Sequence, residues 1–418
     1  MKQTVSIFAM LVFAIAFMTP QASAQVVLTG EAGGAFFKFA VPPAWSGDLV
    51  IWNDGLRLAP NVPFTVDPSN PLAGLGALAP IQFSQGFAIA TTSRRQVGWA
   101  VFKSNNDLHT MMDVFAGLFG SPGRIFLTGG SLGGLVAIQA IETAHLGNVV
   151  GGLSLCGALA GSRVWDTALD MRLVYDNVCS SVPGAAIPGG AEGLPAGSTI
   201  TQTQVALAAN QCTGVLLPPA LRTPDQQARF STILNITKLP ESFFLTDMIF
   251  VTHGMSDLVH DQTKLNGKVG TQNLTVDYGD PVINASIERV PGDVGAIHRL
   301  AENYTPSGNV GATRIVSLHT DKDGLVIVEN ETAYAARIPA TNFTSAVAVE
   351  ATPSHCGFTP AEAVAGWESL RAWVAGAPQP TPGSIQATCQ LVAPIVGGAC
   401  RIDPSFVLPD PDGRMRPR

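Results

Sequence analysis

The segment Arg124-Ile-Phe-Leu-Thr-Gly-Gly-Ser-Leu-Gly-Gly-Leu-Val-Ala-Ile-Gln139 restricts the fold more than any other part of the chain. Read locally, it is a short apolar strand, a serine among glycines, and the start of a helix. Gly129-Gly130-Ser131-Leu132-Gly133 fits G-x-S-x-G, the turn that holds a nucleophilic serine between a strand and a helix. Small residues are needed there because the turn forces unusual backbone angles and brings strand and helix close together. The helix N-terminus behind Ser131 offers N–H groups and a positive dipole end to an oxyanion. A chain with 43 glycines produces bare matches by chance. The apolar Ile125-Phe126-Leu127 before the turn, and the helical pattern after it, give this match its weight.

Residues 1–24 read as a secretory leader. Lys2 supplies the positive start, Val5 to Phe17 the apolar stretch, and Ala22-Ser23-Ala24 a small-residue cleavage site. That stretch is too short for a membrane span, and no later run of apolar residues is long enough for one. The expected mature protein is exported, secreted or periplasmic. The full chain has a formal net charge of −7, and the mature protein −8 once Lys2 leaves with the leader. A weakly acidic chain without basic clusters is not expected to bind nucleic acid or an anionic membrane. Six cysteines fit an oxidising compartment. Proximity in the chain favours Cys389–Cys400 and Cys179–Cys212 and leaves Cys156 with Cys356, although six cysteines allow about 15 connectivities. No paired Cys/His spacing suggests zinc.

The spacing of apolar residues predicts strands at 25–29, 35–41, 48–53, 87–92, 124–128 and 149–156, with helices at 107–119 and 132–144. Apolar strands alternating with helices indicate an α/β fold with a mostly parallel sheet covered on both faces. The rhythm stops from about 160 to 310 and resumes with a strand at 314–319, a helix at 329–337, a strand at 346–350 and a helix at 360–375. The expected organisation is a core of 25–157 and 311–376, an inserted cap over 158–310, and a Pro-rich tail over 377–418 clipped by Cys389–Cys400.

A serine hydroxyl needs a neighbouring base, and the base needs a carboxylate to orient it. With this kind of turn, acid and base follow the serine in the order Ser, Asp/Glu, His. Arg314–Val326 offers a strand followed by Asp321 and Asp323, and Ile249–Val259 offers a similar pattern with Asp257. Asp323 is the better placed acid, since a helix and a strand follow it before His355. His355 lies past both candidate acids, ahead of Thr359-Pro360 and an amphipathic helix. For the oxyanion, Leu132 N–H is one expected donor and Leu56 N–H, after Asp54-Gly55, the second. Asp54 would need to point away or pair, with Arg57 as candidate partner. Trp52 and Trp99 are candidate lining residues of an acyl or aromatic pocket.

Together Trp45-Ser-Gly-Asp-Leu-Val-Ile-Trp-Asn-Asp-Gly-Leu56, Thr92-Ser-Arg-Arg-Gln-Val-Gly-Trp-Ala-Val101, the Ser131 turn, Leu318-His-Thr-x-x-Asp323 and His355-Cys-Gly-Phe-Thr359 resemble the α/β-hydrolase superfamily of serine hydrolases. The likeness is to exported bacterial members near the prolyl-oligopeptidase-like and tannase/feruloyl-esterase-like groups, over about 48–157 and 312–376. It implies an α/β-hydrolase fold and a Ser131–Asp323–His355 triad acting on a small-molecule or polymeric ester, with no metal or organic cofactor. Peptidase activity of the prolyl-oligopeptidase type and polyester depolymerisation are the alternatives, although no room remains for the N-terminal propeller of such peptidases. Tannase-like enzymes carry a cysteine directly before the nucleophile, bonded to one directly after the histidine. Here Gly130 stands in the first place and Cys356 in the second.

Overall fold

The structure, a computed structural model, describes residues 25–411; the expected leader at 1–24 lies outside them. Eight strands form one sheet: β1 (Val26–Ala32), β2 (Ala35–Val41), β3 (Leu49–Asn53), β4 (Ala88–Thr92), β5 (Ile125–Gly130), β6 (Val149–Leu155), β7 (Arg314–Thr320) and β8 (Phe343–Ala348). Their order is β1-β2-β4-β3-β5-β6-β7-β8. The β1–β2 and β2–β4 pairs are antiparallel, and every later pair is parallel. Parallel strands need covering on both sides, and the side chains divide accordingly. Leu49, Ile51, Ile125 and Leu127 face one apolar cluster, while Val50, Phe126, Leu153 and Leu155 face another.

Between the strands run α1 (Ala79–Ser84), α2 (Ser104–Phe119) and α3 (Leu132–Thr143). The segment joining β6 to β7 contains α4 (Val164–Cys179), α5 (Gln202–Thr213), α6 (Pro224–Thr237), α7 (Phe244–Ile249), α8 (Met255–His260), α9 (Pro281–Ser286) and α10 (Val294–Glu302). After β7 come α11 (Glu329–Ala335), α12 (Pro360–Val374) and α13 (Pro382–Val396). The first cluster runs continuously from Leu108, Phe115 and Leu135 into Trp165, Phe230 and Met248 of the β6–β7 segment. The second is closed by Trp367 and Leu370 of α12 and Ile385 of α13. Phe126 and Trp367 stack edge to face at 5.2 Å, and fully burying rings of this size contributes about 1.5–3 kcal/mol each.

Three expectations are corrected. Ile249–Val259 is not a strand with a polar loop: α7, a π-helical turn over Phe250–Gly254 and α8 run through it. Phe244, Met248, Val251, Met255 and Leu258 are buried at spacings of four and three, so a helix buries what looked like a β-branched run. The stretch after 376 is also more than a surface tail. Thr381 and Ser384 form a capping box that starts α13, which packs its buried Ile385 and Cys389 into the second cluster. The strand expected at 346–350 lies at Phe343–Ala348.

Disulfides join Cys156–Cys356, Cys179–Cys212 and Cys389–Cys400, the pairing that chain proximity favours. No helix among the described residues is long and apolar enough to cross a membrane.

The parallel register aligns the strand ends that matter. Asn53 stands opposite Gly129, Gly129 opposite Ser154, and Ser154 opposite Ser317, which in turn faces Ser345. The loops after β3, β5, β6, β7 and β8 therefore emerge side by side. The sheet order reverses at β3, and ligands of open α/β sheets bind outside the carboxyl ends of strands at such a reversal.

Candidate active site

Ser131 occupies that rim. Its backbone stands at φ 56° and ψ −127°, between the last residue of β5 and the first of α3. A non-glycine residue held there costs on the order of 1–3 kcal/mol. The turn is locked by Ser131 N donating to Leu155 O at 2.9 Å and Gly134 N donating to Ser131 O at 3.0 Å. A side chain at Gly133 would strike the carbonyl oxygens of Asn53 and Asp54, and one at Gly129 the Gly133 carbonyl. Strand, strained serine and helix thus have the geometry of a nucleophile elbow at the top of a mostly parallel eight-stranded sheet. The chain has the α/β-hydrolase fold.

On this fold the turn after β7 carries Asp323, which is 1% exposed. Its Oδ1 accepts from Leu325 N at 3.0 Å and Val326 N at 2.9 Å, which fixes the carboxylate. Its Oδ2 lies 2.7 Å from His355 Nδ1, where the ring N–H donates to it. Cys356 N approaches the same oxygen at 3.4 Å. A carboxylate held this way selects the Nδ1–H tautomer and leaves Nε2 as a base. Ser131, Leu132 and His355 line one cavity.

The other two candidate acids face different partners. Asp257 lies on α8 and pairs with the buried Lys264, whose ammonium also donates to Val97 O at 2.9 Å. Burial pushes the Asp257 carboxyl above its ordinary range, and Lys264 offsets part of that. Asp321 accepts from Glu350 N at 2.7 Å and so pins the backbone after β8.

The cysteine after His355 finds its partner one strand away from the serine. Gly130 pairs with Leu155 across β5 and β6, so Cys156 emerges beside Ser131 although 24 residues separate the two in the chain. Cys156–Cys356 closes a loop of 200 residues and ties the histidine backbone to the elbow's neighbouring strand. A loop of that length corresponds to about 5 kcal/mol in the chain-entropy account. Cys356→Ser is expected to lower stability by about 3–5 kcal/mol in chemical denaturation and to reduce kcat more than it raises KM. An unchanged kcat would show that the Asp323 bond alone orients the imidazole. The same disulfide engages both sulfurs of the Cys156, His355 and Cys356 group, whose potential ligand atoms lie within 4.8 Å of one another, so neither sulfur is present as a thiolate ligand.

The Asp54-Gly55-Leu56 loop reaches the serine. A Cβ on Gly55 would sit 3.6 Å from Ser131 Cβ and 4.0 Å from its Oγ. The arginine holding this loop is not Arg57, which donates to Asn61 Oδ1 at 2.9 Å and Ser93 O at 2.7 Å. It is Arg94, fully buried, which donates to Asp54 O at 2.8 Å and Gly55 O at 2.6 Å. Burial lowers its pKa to about 10 against the raising influence of Asp54, so it remains a cation at neutral pH. With two carbonyls turned towards Arg94, the loop is held rigid where it approaches Ser131. Nothing in Ser93-Arg94-Arg95 itself signals this role, because the arginine's partners come from another strand end.

His319 anchors the turn that carries Asp323. Its Nδ1 is 3.1 Å from Glu331 Oε1 and its Nε2 2.7 Å from Val326 O. Ser317 and Ser345 hydroxyls donate to the two Glu331 oxygens at 2.7 and 2.8 Å. Both ring nitrogens face acceptors, which suits an imidazolium. Burial alone would lower the His319 pKa, but the Glu331 hydrogen bond and charge, with Asp323 and the Val326 carbonyl, raise it above the ordinary value. The pair's stabilisation is therefore complete below the unfolded pKa of about 6.5 and fades as pH rises through the higher folded value. The Tm gap between the wild type and His319→Gln is expected to be widest below about pH 6.5 and to narrow at alkaline pH. A gap constant across that range would contradict the charged pair.

The cavity has a volume of about 700 Å³ and includes both Trp52 and Trp99 in its wall. Trp99 also packs edge to face on Trp165 at 5.6 Å. Leu56 lines the cavity as well.

No model of a known protein family matches the sequence, and no curated protein matches it. Solved structures do. Feruloyl esterase B from Aspergillus oryzae aligns at 13% identity over 85% of this chain and 82% of its own, with a TM-score of 0.46. Candida antarctica lipase A in its closed state aligns at 12% identity over 85% of this chain and 78% of its own, with a TM-score of 0.42. Mouse alpha/beta hydrolase domain-containing protein 10 aligns at 14% identity over 80% and 91%, with a TM-score of 0.33. Such likenesses concern the fold alone.

Proposed function

We propose that the protein is an exported serine hydrolase of carboxylic esters. The observation that carries this reading is the His355–Asp323 bond on a fully buried carboxylate, with His355 lining the same cavity as the strained Ser131. His355 Nε2 takes the Ser131 proton as Oγ attacks the ester carbonyl, and Asp323 stabilises the imidazolium that forms. The N–H groups of Leu132 and Leu56 receive the oxyanion. Collapse of the tetrahedral intermediate breaks the ester bond, and the leaving alkoxide takes the proton from His355. Water activated by the same histidine then cleaves the acyl-enzyme, releasing a carboxylic acid. The cycle consumes one water and needs no cofactor. In this reading the β6–β7 segment is a cap over the site, because Val164, Ala168, Met171 and Phe250 from it contribute to the cavity wall.

The test is labelling of the mature protein with a fluorophosphonate, followed by assay of p-nitrophenyl esters and prolyl amides. Modification at Ser131 and ester turnover above amide turnover are expected. Absence of labelling at Ser131 defeats the hydrolase reading, and faster amide cleavage makes the protein a peptidase.

A further inference from the structure

The cavity wall draws on both apolar clusters, which lie on opposite faces of the sheet. From the cluster of α2, α3 and the β6–β7 segment come Leu56, Trp99, Val164, Ala168, Met171 and Phe250. From the cluster of α12 and α13 come Trp52, Leu78, Ile81, Phe358, Val364 and Val396. The sheet separates these two sets everywhere except at its rim, and Ser131 stands on that rim, at the end of β5. A cavity that touches both sets and Ser131 therefore passes over the sheet edge at the serine, with one apolar arm on each side. Among the described residues, the only charged ones in the wall besides the imidazole of His355 are Asp54 and Asp247, and no lysine or arginine lines it. A volume of about 700 Å³ is in the range that encloses most of a medium-sized ligand.

We infer that the preferred substrate is an uncharged ester with extended apolar groups on both its acyl and its alcohol side. The inference rests on the serine-esterase reading and adds what that reading leaves open. An ester carbonyl at Ser131 sends its acyl chain and its alkoxy chain in diverging directions. Here each direction meets aliphatic and aromatic wall rather than water. Moving a methylene from water onto such a wall favours binding for either chain. A carboxylate or phosphate at either chain end would lose its hydration, meet no cation, and share the cavity with Asp54 and Asp247. A large apolar acyl group with a small alcohol leaves one arm empty, so it gains from only half of the site.

Two ester series test this on the full mature protein. One varies the acyl chain of p-nitrophenyl esters from acetate to dodecanoate; the other varies the alcohol of butyrate esters from methyl to dodecyl. In the wild type, kcat/KM is expected to rise at least about tenfold between two- and eight-carbon chains in both series. An ω-carboxylate on the eight-carbon acyl chain is expected to lower it at least about tenfold. Val164→Trp and Ile81→Trp each narrow one arm from a half-buried wall position. Each variant is expected to lower the ratio of eight- to two-carbon rates in one series, and the two variants in different series. Fluorophosphonate labelling of Ser131 reports whether each variant keeps a folded site, and the wild-type series decide the inference when one does not. Turnover of acetate and methyl esters with no chain-length rise in one series, or tolerance of the ω-carboxylate, overturns the two-armed apolar site while the esterase reading stands. No turnover of any member, with Ser131 unlabelled, removes the esterase reading and this inference together.

Discussion

Ser131→Ala is expected to lower kcat by about 10⁴- to 10⁶-fold while the protein stays folded. The loss is this large because, in the proposed mechanism, alanine lacks the only protein atom that bonds to the acyl carbon. What remains is catalysis by the oxyanion donors and by substrate binding alone. The backbone at this position stays at φ 56°, and alanine has a Cβ as serine does, so the strain of the elbow is unchanged and Tm should move little. Steady-state kinetics on p-nitrophenyl butyrate together with calorimetry check both halves. Residual activity within about tenfold of the wild type would place the nucleophile elsewhere.

The second large effect separates two aspartates that look alike in the chain. Asp323→Asn is expected to cost about 10⁴-fold in kcat. The asparagine keeps the shape, and its Oδ1 can still accept from Leu325 and Val326, but an amide N–H facing His355 Nδ1 favours the wrong tautomer. Asp257→Asn leaves that geometry untouched. It removes the carboxylate from the fully buried ammonium of Lys264, which keeps Asp261 at 3.5 Å and the Val97 carbonyl. Losing one partner of a buried ion pair destabilises strongly, so Asp257→Asn should lower Tm and leave kcat within a few fold. The reverse pattern, with kcat lost in Asp257→Asn and kept in Asp323→Asn, would reassign the acid.

The fold was readable where the signal is local. The strand–turn–helix at 124–143, the apolar strands on either side and the Thr359-Pro360 helix start follow from alternation, turn residues and capping. In the last, Thr359 and Glu362 close a capping box, with Glu362 N donating to Thr359 Oγ1 at 3.2 Å. Ile249-Phe250-Val251 failed as a local reading because three residues of high strand preference lie inside a longer run of period three to four. Phe244, Met248, Val251 and Met255 carry that run, and burial of the whole face outweighs the preference of its parts. Arg94 failed for a different reason. Nothing in Ser93-Arg94-Arg95 shows which carbonyls its guanidinium will meet.

The Ser131 elbow, the order serine–aspartate–histidine and the placing of each at a strand end belong to the chain itself, because they depend on backbone preferences of neighbouring residues and on the succession of strands. What surrounds the serine was decided only in three dimensions. Cys156 stands beside Ser131 because β5 and β6 pair in parallel with Gly130 opposite Leu155. Arg94 grips the Asp54-Gly55 loop because β4 lies next to β3. Apolar wall from both faces of the sheet borders the cavity because alternate residues of its strands feed clusters on opposite faces, which meet at its rim. Register and layer packing are set by contacts between residues far apart in sequence, and no periodicity within a segment records them.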